Sequence, residues 1–157
     1  MTTPAVPLSL GSSLELDSGD LVFDNQAGDL VMVTGTGALS QALVLSLETQ
    51  LGSDRINSGF GFDRAAVGAY AYGVHTQKEY VKLQLVRCVG LDRRVKTVRE
   101  VFFQDDPRYF ELNPQLDLAA QEAIAAAARA SRDYTVYVIV ETINSDVVTL
   151  QAGGTLG

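Results

Sequence analysis

Ala38-Leu39-Ser40-Gln41-Ala42-Leu43-Val44-Leu45-Ser46-Leu47-Glu48-Thr49-Gln50-Leu51 runs directly into Gly52-Ser53-Asp54-Arg55-Ile56-Asn57-Ser58-Gly59-Phe60-Gly61. The first half places Leu39, Ala42, Leu43, Leu47 and Leu51 at helical spacing, and the second is glycine-rich with one large aromatic. Together they read as a core helix stopped abruptly and followed by a fixed turn. The stretch supplies no nucleophile, metal cluster or paired acid, which points to a scaffold that works through its surface.

Upstream, Leu21-Val22-Phe23 and Leu30-Val31-Met32-Val33 flank Asp24-Asn25-Gln26-Ala27-Gly28-Asp29, the composition of a hairpin. Residues 1–13 mix Pro, Ser, Thr and Gly with scattered apolar groups and read as an extended arm, ordered only where something covers it. Downstream, residues 63–72 suggest a short helix. Thr76-Gln77-Lys78-Glu79 matches a capping box, and Val81, Leu85, Cys88 and Val89 continue the next helix on one face as far as Gly90. A strand follows over Val95–Gln104. Asn113-Pro114, with Asp117 behind it and Arg129 and Arg132 at the far end, predicts a helix start, and the alanines between give high propensity with little area to bury. That helix reads as a surface attachment. Tyr134–Val140 and Val147–Leu150 flank Asn144-Ser145-Asp146 as a closing hairpin, and residues 151–157 read as a fraying, glycine-containing end.

The expected fold is therefore α+β: a small, mainly antiparallel sheet packed on two core helices, with the Ala-rich helix of residues 105–132 inserted. One domain spans residues 14–151, between the arm at 1–13 and a flexible end at 152–157. At 157 residues the chain is one domain's length, and 46% hydrophobic with 20% charged residues is a globular composition. Twelve basic against nineteen acidic residues argue against coating nucleic acid or an anionic membrane. Cys88 is the sole cysteine, so no internal disulfide forms, and its helical position suggests a buried small apolar group. The first residues have neither the basic leader nor the apolar core of a signal peptide, which predicts a protein kept in the cytoplasm or released by lysis.

Catalytic and cofactor readings fare poorly. Gly35-Thr36-Gly37-Ala38-Leu39-Ser40 imitates a dinucleotide loop, but its third glycine is Ser40 and no second parallel βα unit follows, so a strand-to-helix turn capped by Thr36 is preferred. Glu48, Asp54 and Asp63 are the acids a glycosidase pair would draw on, yet the chain has no Trp for a sugar platform. His75 is the only histidine, which leaves no multi-histidine metal site and no matched Ser–Asp partner. No catalytic, cofactor or metal residue is assigned. Asp92-Arg93-Arg94-Val95 differs in kind. An acid and two guanidinium groups after a helix stop suit either a partner carboxylate or an ordinary solvated strand entrance.

Leu47-x-Thr49-x-x-Gly52-Ser53 ahead of Phe60-Gly61, then Asp92-Arg93-Arg94-Val95 and the closing strand Tyr134–Glu141, together resemble the sheath-initiator family of contractile phage tails, baseplate proteins that have long carried a lysozyme label. Asp92, Arg94 and Val95 stand for the Glu, Arg and Ile of the family's Glu-Pro-Arg-Ile signature; Arg93 replaces its proline and Ser58 a proline common before the aromatic-glycine pair. The likeness spans about residues 29–104 and 133–150. It implies a structural protein of the virion tail baseplate, six copies around the tube, assembled in the host cytoplasm. The implied partners are baseplate wedge proteins, docked through Asp92, Arg93 and Arg94, the sheath protein and the tail tube; nucleic acid and membrane are not among them. Sheath recruitment is expected by strand addition at the closing hairpin, with Val136, Val138, Val140, Val147, Val148 and Leu150 setting the register. The rival readings are a peptidoglycan-cleaving enzyme and a nucleotide-binding module.

Overall fold

A computed structural model describes residues 8–69 and 73–156. The chain is α+β. Six short strands come first: β1 (Ser12–Leu14), β2 (Leu16–Asp17), β3 (Asp20–Leu21), β4 (Phe23–Asp24), β5 (Asp29–Leu30) and β6 (Met32–Thr34). Helices α1 (Gly35–Glu48), α2 (Arg64–Ala69) and α3 (Val74–Gly90) follow. Strand β7 (Val95–Phe103) leads into α4 (Pro107–Leu112) and α5 (Leu118–Ser131), and β8 (Asp133–Thr142) with β9 (Val147–Thr155) closes the fold.

The core is a three-stranded antiparallel sheet in the order β7-β8-β9, with α1 and α3 on one face. Even-numbered residues of β8 point to that face, because side chains alternate along a strand. Val136, Val138 and Val140 are accordingly fully buried, with Val148 and Leu150 of β9 beside them. They meet Leu39, Leu43 and Leu47 of α1 and Val81, Leu85 and Val89 of α3. Burial of each such side chain contributes about 1.5–3 kcal/mol. These valines and Leu150 are therefore core residues rather than partner contacts, which corrects the expectation for five of the six hairpin positions; Val147 alone is exposed.

The core helix places Leu39, Leu43 and Leu47 in the core as the sequence implies but ends at Glu48, so Leu51, expected on its apolar face, lies in the turn beyond it. Past Thr49 the chain loops out and returns to bridge Gln50 to Phe62 in parallel, and Phe62 N–H donates to the Thr49 carbonyl at 2.8 Å. Gly61 makes this closure feasible: its φ is +110°, and a Cβ there would stand 2.6 Å from the Thr49 carbonyl oxygen.

Several local expectations change. Leu21 and Phe23 are not on one hairpin: Phe23 pairs with Leu30, whereas Leu21 pairs with Leu16 and Met32 with Leu14. The arm ends earlier than expected, since Leu10 is buried and Ser12–Leu14 is a strand; residues 1–7 lie outside the described residues. Helix α1 begins at Gly35 with Thr34 as its cap, so Thr36 lies inside the first turn. Helix α3 begins at Val74 behind Gly73, which puts Thr76 and Glu79 inside it and removes the capping box; Glu79 pairs with Lys82 instead. Of the predicted 63–72 helix, Arg64–Ala69 is present and 70–72 lie outside the described residues. The Ala-rich helix starts at Leu118, because the Asp117 carboxylate accepts from Ala120 N–H and Asn113 turns back to the Tyr109 carbonyl to end α4. Residues 151–155 do not fray. They pair with Asp133–Tyr137 to complete β9, and Leu156 is buried. The described residues from Leu10 to Leu156 thus belong to the domain, beyond the expected 14–151 at both ends.

Candidate functional site

Two surfaces answer to the sequence expectations: the outer edge of β9, and the end of the α1–α3 layer where Asp92 and Arg94 lie. Both follow from how the strands and helices stop.

The register of β8 and β9 fixes which β9 amides face inward. Thr142 N–H donates to the Asp146 carbonyl at 2.8 Å and Leu156 N–H to the Arg132 carbonyl at 2.9 Å. Hydrogen-bonded pairs alternate along an antiparallel ladder, so Val148, Leu150 and Ala152 turn their amides toward β8. Thr149, Gln151 and Gly153 turn theirs outward, where no strand pairs with them among the described residues. Sequence reading selected the valines for their β propensity and missed these three. The cue was present as simple alternation, but its phase is set by the turn at Asn144-Ser145, which only the fold reveals.

The two edges of the sheet differ. Strand β7 carries Lys96, Arg99 and Glu100, and two register shifts interrupt its pairing with β8. Charges and bulges of this kind protect an edge against further pairing. Strand β9, Val-Val-Thr-Leu-Gln-Ala-Gly-Gly-Thr, has no charge and no proline over nine residues. On the outer face of the sheet Glu141 sits between Lys96 and Arg99, and these two cations hold its carboxyl below the usual range.

At the other surface, Arg94 Nε and Nη2 donate to Asp92 Oδ1 and Oδ2 at 2.9 and 2.6 Å, and Nη1 donates to the Leu10 carbonyl at 2.9 Å. Hydrogen bonding from Arg94 holds the Asp92 carboxyl below its ordinary value against the opposing effect of burial. The pair is thus an internal clamp on the N-terminal segment, which corrects the expectation that both face outward; Arg93 is exposed. Beside it opens a groove of about 540 Å3 lined by Ala42, Leu45, Phe60, Cys88, Leu91 and the clamp itself. Leu45 and Leu91 are exposed at its walls. Cys88 faces Ser46 Oγ at 3.1 Å, and burial pushes its thiol up, so it belongs to the core as expected.

The chemical decoys are occupied by the fold. Gly35 has φ +63° at the strand-to-helix turn, and a Cβ on Gly37 would stand 2.8 Å from Val33 Cγ2, so both glycines answer to chain direction and packing. Asp54 accepts from Ile56 and Asn57 N–H, and Asp63 from Ala66 N–H, while Glu48 is exposed on α1. His75 lies exposed in the first turn of α3. Neither the family models nor the curated proteins compared with this chain match it.

Proposed function

We propose that this protein is a structural component of a contractile-tail baseplate that seeds sheath assembly by donating a sheet edge. The observation that carries the reading is the uncharged, proline-free edge of β9, which no strand pairs with among the described residues. Left bare, such an edge is a hazard for aggregation, whereas an arriving strand satisfies Thr149, Gln151 and Gly153 and extends the sheet. Main-chain bonds give the strength, and the exposed side chains of Val147, Thr149 and Gln151 give the register. The sequence resemblance supplies the identity of the strand, an extended arm of the first sheath ring, and of the second partner, a wedge protein seated in the groove beside Asp92 and Arg94.

Particles assembled with a Thr149→Pro variant test this. Tube and baseplate should form, and the sheath should be missing. Sheath of normal length on those particles would remove β9 from the mechanism. Incubation of the purified protein with peptidoglycan should give no clearing; clearing that disappears in Glu48→Gln would replace the structural reading with the enzymatic one.

A further inference from the structure

Along β9 the residues between the outward amides of Thr149, Gln151 and Gly153 turn their side chains toward the helices. Val148 and Leu150 are buried in the core there. At Gly154 the space is taken by β8, because a Cβ would stand 2.6 Å from the Tyr134 hydroxyl oxygen and 2.8 Å from its ring. Ala152 differs. It is only half-buried, and beside it opens a pocket of about 230 Å3. Ala152 and Gly153 form the strand side of this pocket, Val44, Leu47 and Glu48 of α1 form its helix side, and Arg64 joins them. The pocket thus occupies the angle between the outer edge of β9 and the helix packed on it.

A strand that pairs with β9 brings its own side chains to this angle. Directly opposed residues share a face, so the residue arriving opposite Ala152 points to the helix side and into the pocket, whichever way the strand runs. At about 230 Å3 the space is smaller than the roughly 300–1,000 Å3 of small-molecule sites, and it suits a single side chain.

Charge narrows the class of that side chain. Val44, Leu47 and Ala152 offer apolar surface, whereas Glu48 and Arg64 are exposed and, among the described residues, neither is ion-paired. Arg64 is held in place, its Nη2 donating to the Leu47 carbonyl at 3.2 Å. An entering carboxylate meets repulsion from Glu48, an entering cation meets repulsion from Arg64, and either must shed water first. A large apolar side chain avoids these costs and covers the apolar wall. We infer that the strand recruited by β9 carries one large apolar residue opposite Ala152, and that this pocket fixes its register. The inference rests on the strand-addition reading of β9 and adds the chemistry of the partner.

The test is an NMR titration of the isotope-labelled protein with short, capped threonine peptides that carry one central guest: Leu, Ser, Asp or Lys. The Leu peptide should shift the amides of Thr149, Gln151 and Gly153 together with the methyl groups of Val44 and Ala152. It should bind about tenfold more tightly than the Ser peptide, with Asp and Lys no better than Ser. Ala152→Leu fills the pocket from within the chain and should erase the preference for Leu. Two surface variants supply a second arm: Glu48→Gln should raise the affinity of the Asp peptide, and Arg64→Gln that of the Lys peptide. Thr149→Pro should abolish binding of all four. Equal binding of the four peptides, lost in Thr149→Pro, would overturn the pocket and leave strand addition standing. Absence of shifts at β9 with every peptide would overturn strand addition and the pocket with it. Self-association of the native protein that Thr149→Pro abolishes would make a second copy the occupant and overturn the proposal.

Discussion

Arg94 grips Asp92 side-on through two hydrogen bonds of 2.9 and 2.6 Å, and its third nitrogen closes on the carbonyl of Leu10, 84 residues away in sequence. A loop after a helix thereby fixes the segment that leads into β1. Arg94→Ala removes both contacts and leaves a partly buried carboxylate and a backbone carbonyl without this donor. The expected loss is about 1–3 kcal/mol in chemical denaturation. The effect depends on pH. Asp92 is held below its ordinary value in the folded protein, so its contribution is fully present above the unfolded carboxyl value of about 4 and disappears as pH falls through the lower folded value. The stability difference between native protein and variant should narrow in that acid range. An unchanged difference down to strongly acid pH would show that Arg94 acts by packing alone.

Adjacent prolines should separate the two sides of β9. Val148→Pro removes an amide aimed at β8 within the core ladder, leaving a buried carbonyl unpaired at about 1–3 kcal/mol, with backbone strain added. Thr149→Pro removes an amide aimed outward and should cost under about 1 kcal/mol in the isolated protein. Thermal unfolding of the two variants is the measurement. Equal destabilisation would mean that the alternation runs with the opposite phase.

Residues 107–131 should be dispensable for folding. Neither α4 nor α5 contains a fully buried residue, and the strands they interrupt are already adjacent, with Gln104 N–H donating to the Thr135 carbonyl at 2.9 Å. A short glycine-containing turn in their place should yield a protein that still unfolds cooperatively. Its stability falls modestly, because Tyr109 no longer stacks on Tyr137 with centroids 5.2 Å apart and the hold of Lys78 and Lys82 on Asp105 and Asp106 is weakened. A molten product, judged by lost near-ultraviolet dichroism, would show that the two helices belong to the core.

Much of the framework was written in local sequence. The spacing of Leu39, Leu43 and Leu47, the face of Val81, Leu85 and Val89, and the β-branched run from Tyr134 to Val140 each encode an element whose periodicity is a property of neighbouring residues. Helix starts were less legible, since Thr76-Gln77-Lys78-Glu79 satisfies a capping pattern that the chain bypasses by entering the helix at Val74. Local chemistry offers a cap; the path of the chain decides whether it is used.

Pairing across the chain was beyond the sequence. That Leu21 turns to Leu16 and Met32 to Leu14 depends on a ring of backbone hydrogen bonds among Glu15, Val22 and Val31, and a ladder of two or three residues leaves no periodic trace. That Val136, Val138 and Val140 are core and Thr149 is edge depends on β8 lying between two strands. A β-branched run favours a strand equally well at the centre or the margin of a sheet, so the sequence alone determined that a strand would form there. Only the tertiary structure, by choosing its neighbours, decided which of its backbone groups were left to meet something else.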